Sequence, residues 1–277
     1  MKVLLAKEMG MCFGVRDALD LAKAVESPES VTIFGQLVHN PRVLRDLDAR
    51  GFSTSPEDLR IVPETPVVMI TAHGVSHSER AQLRASGKEL VDTTCPLVRK
   101  VHDTALRLQE DGYFVVVIGK PGHVEVHGIV DDLIDYVVVE TPADVERYPV
   151  DRIGVVCQTT TPPTQASAIL DSIRSANFGK EILFEDTICD PTRDRQEAVV
   201  DLLGSIEALV VVGGRNSNNS RQLGVLAESR GVPCVRVDGP EDLDPAWFTA
   251  YQVVGLTAGT STLDETIESV RQALLAL

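Results

Sequence analysis

Phe114-Val115-Val116-Val117-Ile118 is an unbroken run of five apolar residues. A strand with one wet face would alternate polar and apolar side chains, and a buried helix would need a longer stretch. A short continuous β-branched run is the pattern of a strand covered on both faces, as in a parallel sheet. Similar runs lie at 3–6, 31–34, 67–71, 136–139, 153–157, 181–184, 209–212, 234–237 and 252–256. Helical patterns at 15–25, 76–85, 97–108, 163–173, 193–203, 221–229 and 263–275 fall between many of them. Strands alternating with amphipathic helices predict βαβ units and an α/β fold with parallel sheets.

Composition narrows the function classes. The chain has 277 residues with 43% hydrophobic and 24% charged content, which suits a globular protein with a sizeable core. No apolar run approaches the roughly 20 residues that span a bilayer, and no leader-like segment opens the sequence, so a cytoplasmic location and no membrane partner are expected. A formal charge of −15 disfavours a nucleic-acid partner, which calls for a basic face. Any anionic ligand must then be held by local chemistry.

Five cysteines with no export signal suggest metal or catalytic use instead of disulfides. Cys157 and Cys234 fall inside strand-like runs and read as core. Cys12, Cys95 and Cys189 are 83 and 94 positions apart, with 88 residues after the last, so they recur about once per third of the chain. That spacing predicts α/β domains at 13–95, 96–188 and 189–277, with residues 1–12 packing against the third. Each of the three stands where a loop enters a helix, and Pro96 and Pro191 suit a first helical turn. The positive end of a helix favours a thiolate there. Three thiolates could hold zinc or a [4Fe–4S] cluster, each with one open position, and spacing alone leaves both open.

Polar residues gather at other strand-to-helix handovers, the place where ligands bind in open parallel sheets. His39, His73 and His123 each sit in such a loop. Stretches 158–161, 215–220 and 257–262 are rich in Gln, Thr, Asn and Ser, a lining that suits a phosphate or diphosphate without a lysine cluster. Glu125, two residues from His123, would share its side on an extended strand and could donate a proton. His127 continues the alternation with a weaker claim.

Taken together, Gly10-Met11-Cys12-Phe13-Gly14-Val15, His39-Asn40, Ala72-His73-Gly74-Val75-Ser76, Asp92-Thr93-Thr94-Cys95-Pro96, Gly122-His123-Val124-Glu125-Val126, Gln158-Thr159-Thr160, Thr187-Ile188-Cys189 with Arg195-Gln196-Glu197, Val212-Gly213-Gly214-Arg215-Asn216-Ser217 and Thr257-Ala258-Gly259-Thr260-Ser261 resemble the LytB family of 4-hydroxy-3-methylbut-2-enyl diphosphate reductases. The resemblance implies three similar α/β domains around a central site, in which Cys12, Cys95 and Cys189 hold a [4Fe–4S] cluster. One iron would lack a cysteine and meet the hydroxyl oxygen of the allylic diphosphate substrate. His39, His73, His123, Ser217, Asn219 and Ser261, with Thr159 and Asn218 beside them, would bind that substrate. Glu125, with Thr159 and His123, would manage the protons that let the hydroxyl leave as water. Ferredoxin or flavodoxin would supply two electrons, giving isopentenyl and dimethylallyl diphosphates at the end of the methylerythritol phosphate route. The chain departs from the family pattern at Val124, where proline is usual, at His127, and at Asn218, which replaces a frequent serine; Asp190 and Asp194 add charge beside the third cysteine. The alternatives are a related cluster protein that acts on or senses another allylic diphosphate, and a zinc hydrolase using the same thiolates.

Overall fold

The computed structural model describes residues 1–57, 59 and 61–277. Among these, twelve strands form three four-stranded sheets whose pairings are all parallel. One contains β2 (Val31–Phe34), β3 (Ser53–Ser55), β4 (Val67–Ile70) and β5 (Glu89–Asp92) in the order β3-β2-β4-β5. Another contains β6 (Phe114–Ile118), β7 (Tyr136–Val139), β8 (Arg152–Cys157) and β9 (Glu181–Phe184) in the order β7-β6-β8-β9. The remaining sheet is β11-β10-β12-β1, from β10 (Ala208–Val212), β11 (Cys234–Val237), β12 (Val253–Ala258) and β1 (Lys2–Leu5). The three orders are one order, with the N-terminal strand taking the fourth place in the last sheet.

Helices make the crossovers that parallel strands require. They are α1 (Phe13–Lys23), α2 (Pro41–Ala49), α3 (His77–Ala85), α4 (Pro96–Glu110), α5 (Val124–Val130), α6 (Pro163–Ala176), α7 (Asp190–Leu203), α8 (Asn218–Ser229), α9 (Pro245–Phe248) and α10 (Asp264–Ala276). The chain divides into two compact units. Unit one comprises residues 1–16, 39–45 and 190–277 and holds the sheet completed by β1. Unit two comprises residues 17–38 and 46–189 and holds the other two sheets.

Burial explains the continuous apolar runs. Val116, Ile118, Val155 and Cys157 face Ile169 and Ile173 of α6, while Val115, Val117 and Val156 face Val101 and Leu108 of α4 and Ile129 of α5. Neither face meets water, so no polar residue alternates. Each such side chain contributes about 1.5–3 kcal/mol through burial. The last sheet repeats the plan, with Val210, Val212 and Leu256 on α10 and Leu209 and Val211 on α7 and α8. Cys157 is fully buried in the core, while Cys234 is half-buried and packs against the core of the last sheet, where burial pushes its thiol up to about 12. β3 and β5 escaped the sequence reading because they are outer strands, partly exposed and polar in Ser53-Thr54-Ser55 and Glu89-Leu90-Val91-Asp92.

The register of β1 gives a test. Lys2 N and Ala6 N donate to Gln252 O and Leu256 O at 2.8 and 2.9 Å, so the Leu4 N–H also faces β12 and the Leu5 N–H faces away. Leu4→Pro is expected to cost about 2 kcal/mol or more by stranding a buried carbonyl. Leu5→Pro, at a residue already 42% exposed, should cost less than half as much, as read by urea unfolding.

Candidate functional site

The same backbone device recurs beside each of the three cysteines. Cys12, Cys95 and Cys189 immediately precede the first residues of α1, α4 and α7. Each follows the fourth strand of its sheet, and each amide donates to a carbonyl in the loop after the third strand. The bonds are Cys12 N to Thr260 O at 3.0 Å, Cys95 N to Ala72 O at 3.1 Å and Cys189 N to Thr159 O at 3.1 Å. All three thiols are half-buried and free of disulfides. A half-buried thiol at a helix N-terminus can bind metal or react. Soft thiolates bind zinc or an iron–sulfur cluster alike. Within either unit, among the described residues, no three His, Cys, Asp or Glu side chains are grouped to hold a single metal ion.

The loops after the first strands repeat as well. Phe34, Ile118 and Val212 end β2, β6 and β10, a glycine follows each, and five residues past each strand end stand His39, His123 and Ser217. Gly213 is required, since a Cβ there would lie 2.1 Å from Ser220 Oγ at a φ of +156°.

Unit one brings together Cys12, His39, Ser217, Asn218, Asn219 and Ser261. Ser261 Oγ donates to His39 O at 3.2 Å, and Asn40 Nδ2 donates to Ser261 O at 2.6 Å. Asn40 Oδ1 meanwhile accepts from the amides of Arg42 and Val43 and so caps α2. Ser217 Oγ caps α8 by accepting from Ser220 N. Asn218 Oδ1 accepts from Arg221 Nη2 at 3.0 Å, so the amide that stands in place of a serine is tied to its own helix. Asn219 Oδ1 accepts from Thr260 N at 3.1 Å, which aims its Nδ2 donor elsewhere. That Nδ2 is buried with no protein partner. An unmet buried donor costs about 1–3 kcal/mol, and an anionic ligand would meet it.

Unit two brings together Cys95, His73, His123, Glu125, Thr159 and Cys189. The rings of His73 and His123 meet edge to face, with centroids 5.7 Å apart. Glu125 is 2% exposed, and its Oε1 accepts from Thr159 N at 2.7 Å. Thr159 therefore gives its amide to Glu125 and its carbonyl to Cys189. A buried carboxyl is linked to a helix-opening cysteine through a single residue.

The extended reading of residues 123–127 is corrected. His123 is the cap of helix α5, and its Nδ1 accepts from Glu125 N at 3.1 Å. An acceptor Nδ1 leaves Nε2–H as the donor of the ring. Helical rotation turns Glu125 inward and leaves His127 exposed and outside the constellation. The imidazole cap replaces the usual Ser, Thr or Asp, which is why the helix start was missed.

His102 was also missed. It lies on the buried stripe of α4 with Val98, Val101, Ala105 and Leu108, a spacing that could have found it. Its ring fills space left by two glycines, with Cε1 3.6 Å from where a Cβ of Gly74 would be and 3.0 Å from one of Gly128. It thus supports the His73 loop and the Glu125 helix together.

The sequence pattern described as LytB protein matches residues 3–275. A 4-hydroxy-3-methylbut-2-enyl diphosphate reductase of Methylibium petroleiphilum is 37% identical over 99% of this chain and 85% of its own, and that of Aquifex aeolicus is 34% identical over 98% and 95%. The solved structure of E-1-hydroxy-2-methyl-but-2-enyl-4-diphosphate reductase from Plasmodium falciparum superposes with a TM-score of 0.90 at 26% identity, over 99% of this chain and 87% of that one. A second, of (E)-4-hydroxy-3-methyl-but-2-enyl diphosphate reductase, gives a TM-score of 0.68 at 32% identity over the whole of both chains. Among the described residues no helix is long and apolar enough to cross a membrane.

His102 makes stability depend on pH. Burial lowers its pKa to about 4, helped by His77 and Arg80 and opposed by Asp132 and Asp103. Well above pH 6.5 the ring is neutral folded or unfolded; as pH falls through 6.5 toward 4 the unfolded chain binds a proton that the folded chain refuses, so stability is lost. The loss at pH 4.5 is about 2.5 kcal/mol. Comparing urea unfolding at pH 7 and 4.5, His102→Gln should remove that part of the pH dependence.

Proposed function

The chain belongs to the LytB protein family, and from that premise we propose that it catalyses the reductive dehydroxylation for which its relatives are named. 4-Hydroxy-3-methylbut-2-enyl diphosphate takes up two electrons and two protons, its C–O bond breaks, and water leaves with isopentenyl or dimethylallyl diphosphate as product. The observation that carries this reading is the link from buried Glu125 through Thr159 to Cys189. It ties a buried carboxyl to the backbone of the cysteine that opens α7.

Cys12, Cys95 and Cys189 would hold a [4Fe–4S] cluster, which would supply electrons and Lewis acidity when bound. Three reduced, half-buried thiols at helix N-termini form a donor set that fits it. Glu125 holds a proton on its carboxyl and delivers it to the departing hydroxyl; the Thr159 amide fixes the orientation of that carboxyl, and the Thr159 hydroxyl binds beside it. His39, His73, His123, Ser217, Asn218, Asn219 and Ser261 bind the diphosphate, with the unmet amide of Asn219 as one donor. Electrons come from a ferredoxin or flavodoxin. A thiolate-held cluster goes with a reducing compartment, the cytoplasm.

Anaerobic purification followed by iron, sulfide and zinc analysis tests the cluster. Iron with matching sulfide is expected; about one zinc and no sulfide would overturn the reading. Glu125→Gln should leave cluster and diphosphate binding nearly intact and lower turnover about 100-fold or more, measured anaerobically with a chemical reductant. Unchanged turnover removes Glu125 as the acid.

A further inference from the structure

The threefold repeat provides its own internal control for each cysteine segment, and one segment is held differently. Two residues before Cys95 and Cys189 stand Thr93 and Thr187, whose hydroxyls donate to Ile70 O and Cys157 O at 2.6 Å each. The matching residue before Cys12 is Gly10, which has no side chain. Its φ is +78°, and a Cβ would lie 2.8 Å from Ile267 Cδ1, so a threonine is barred there. This segment also has the longest reach from its strand, Leu5 to Cys12, against Asp92 to Cys95 and Phe184 to Cys189. A longer loop has more freedom to lose when its cysteine is fixed.

Arg195 supplies the missing anchor. Its Nε and Nη2 both donate to Gly10 O, at 3.1 and 2.6 Å, and its Nη1 donates to Pro191 O at 2.9 Å. The side chain is 5% exposed, and among the described residues no carboxylate pairs with it. A guanidinium keeps its proton, so a charge is buried here on the carbonyls of Gly10 and Pro191. The other repeats bury plain carbon at the sixth residue past the cysteine, Ala18 and Val101, both 0% exposed. Arg195 is therefore a departure from the scaffold, aimed at the one segment that lacks a threonine.

We propose that Arg195 is the positioning residue of Cys12: it clamps the Gly10 carbonyl, fixes the loop that presents the thiol, and places a buried positive charge on the carbonyl two residues before it. This rests on the reading of Cys12 as a cluster ligand. A positive charge beside a cluster favours its reduced, more negative form.

The test uses the full chain, reconstituted anaerobically, as wild type, Arg195→Met and Arg195→Lys. Peptide-resolved hydrogen exchange should quicken at least tenfold over residues 9–13 in both variants, because neither can place two donors on one oxygen, while β8 stays as protected as in wild type. The reduction potential of the cluster, followed by electron paramagnetic resonance, should move negative in Arg195→Met and return toward wild type in Arg195→Lys. Wild-type protection of residues 9–13 in either variant overturns the clamp; an unmoved potential in Arg195→Met reduces Arg195 to packing and overturns the proposal equally. Should Arg195→Met fail to fold, Arg195→Lys carries the exchange test. A chain that binds no iron or sulfide defeats the reading of Cys12 instead, and exchange still decides the clamp.

Discussion

The hydrogen bond from each helix-opening cysteine amide to a carbonyl in the adjacent loop is the contact on which the rest of the arrangement depends. It joins the end of an outer strand to the loop of its inner neighbour, so thiol and polar side chains come from one fixed edge of each sheet. The inner strands supply the rigidity, being buried on both faces by aliphatic side chains that admit little movement. An edge built this way holds reactive groups without needing ordered loops of any length.

One scaffold thus carries three different linings. Five residues past the first strand of each repeat stand His39, His123 and Ser217, and in each case a cap is made nearby: by Asn40 for α2, by the His123 ring for α5 and by Ser217 for α8. The loop after the third strand offers His73, Thr159 or Ser261. Repetition fixes where a side chain can act, and substitution decides what it does. The same logic isolates Arg195, which stands where the other repeats bury Ala18 and Val101.

Much of this was legible in the sequence, for identifiable reasons. β6, β8 and β10 show as apolar runs because both faces are dry, and the three cysteines stand out through matching context. β3 and β5 do not show, since an outer strand with polar residues has no pattern to distinguish it from a loop. The helix at Val124–Val130 was hidden by an imidazole doing the work of a hydroxyl, and the extended reading gave His127 a weak claim it does not keep. His102 was legible only as one position of a buried helical stripe, and the roles of His102 and Arg195 depend on residues far away in sequence: Gly74 and Gly128, whose missing side chains admit the ring, and Gly10, whose carbonyl takes the guanidinium.

Charge sets the last constraint. A chain of formal charge −15 repels an anion at long range, so an allylic diphosphate must be captured by short-range donors whose cost of burial is met only when it arrives. Asn219 fits that requirement, with its oxygen engaged by Thr260 and its amide hydrogens unmet. Neutral donors and helix N-termini can hold an anion without the mutual repulsion of a lysine cluster.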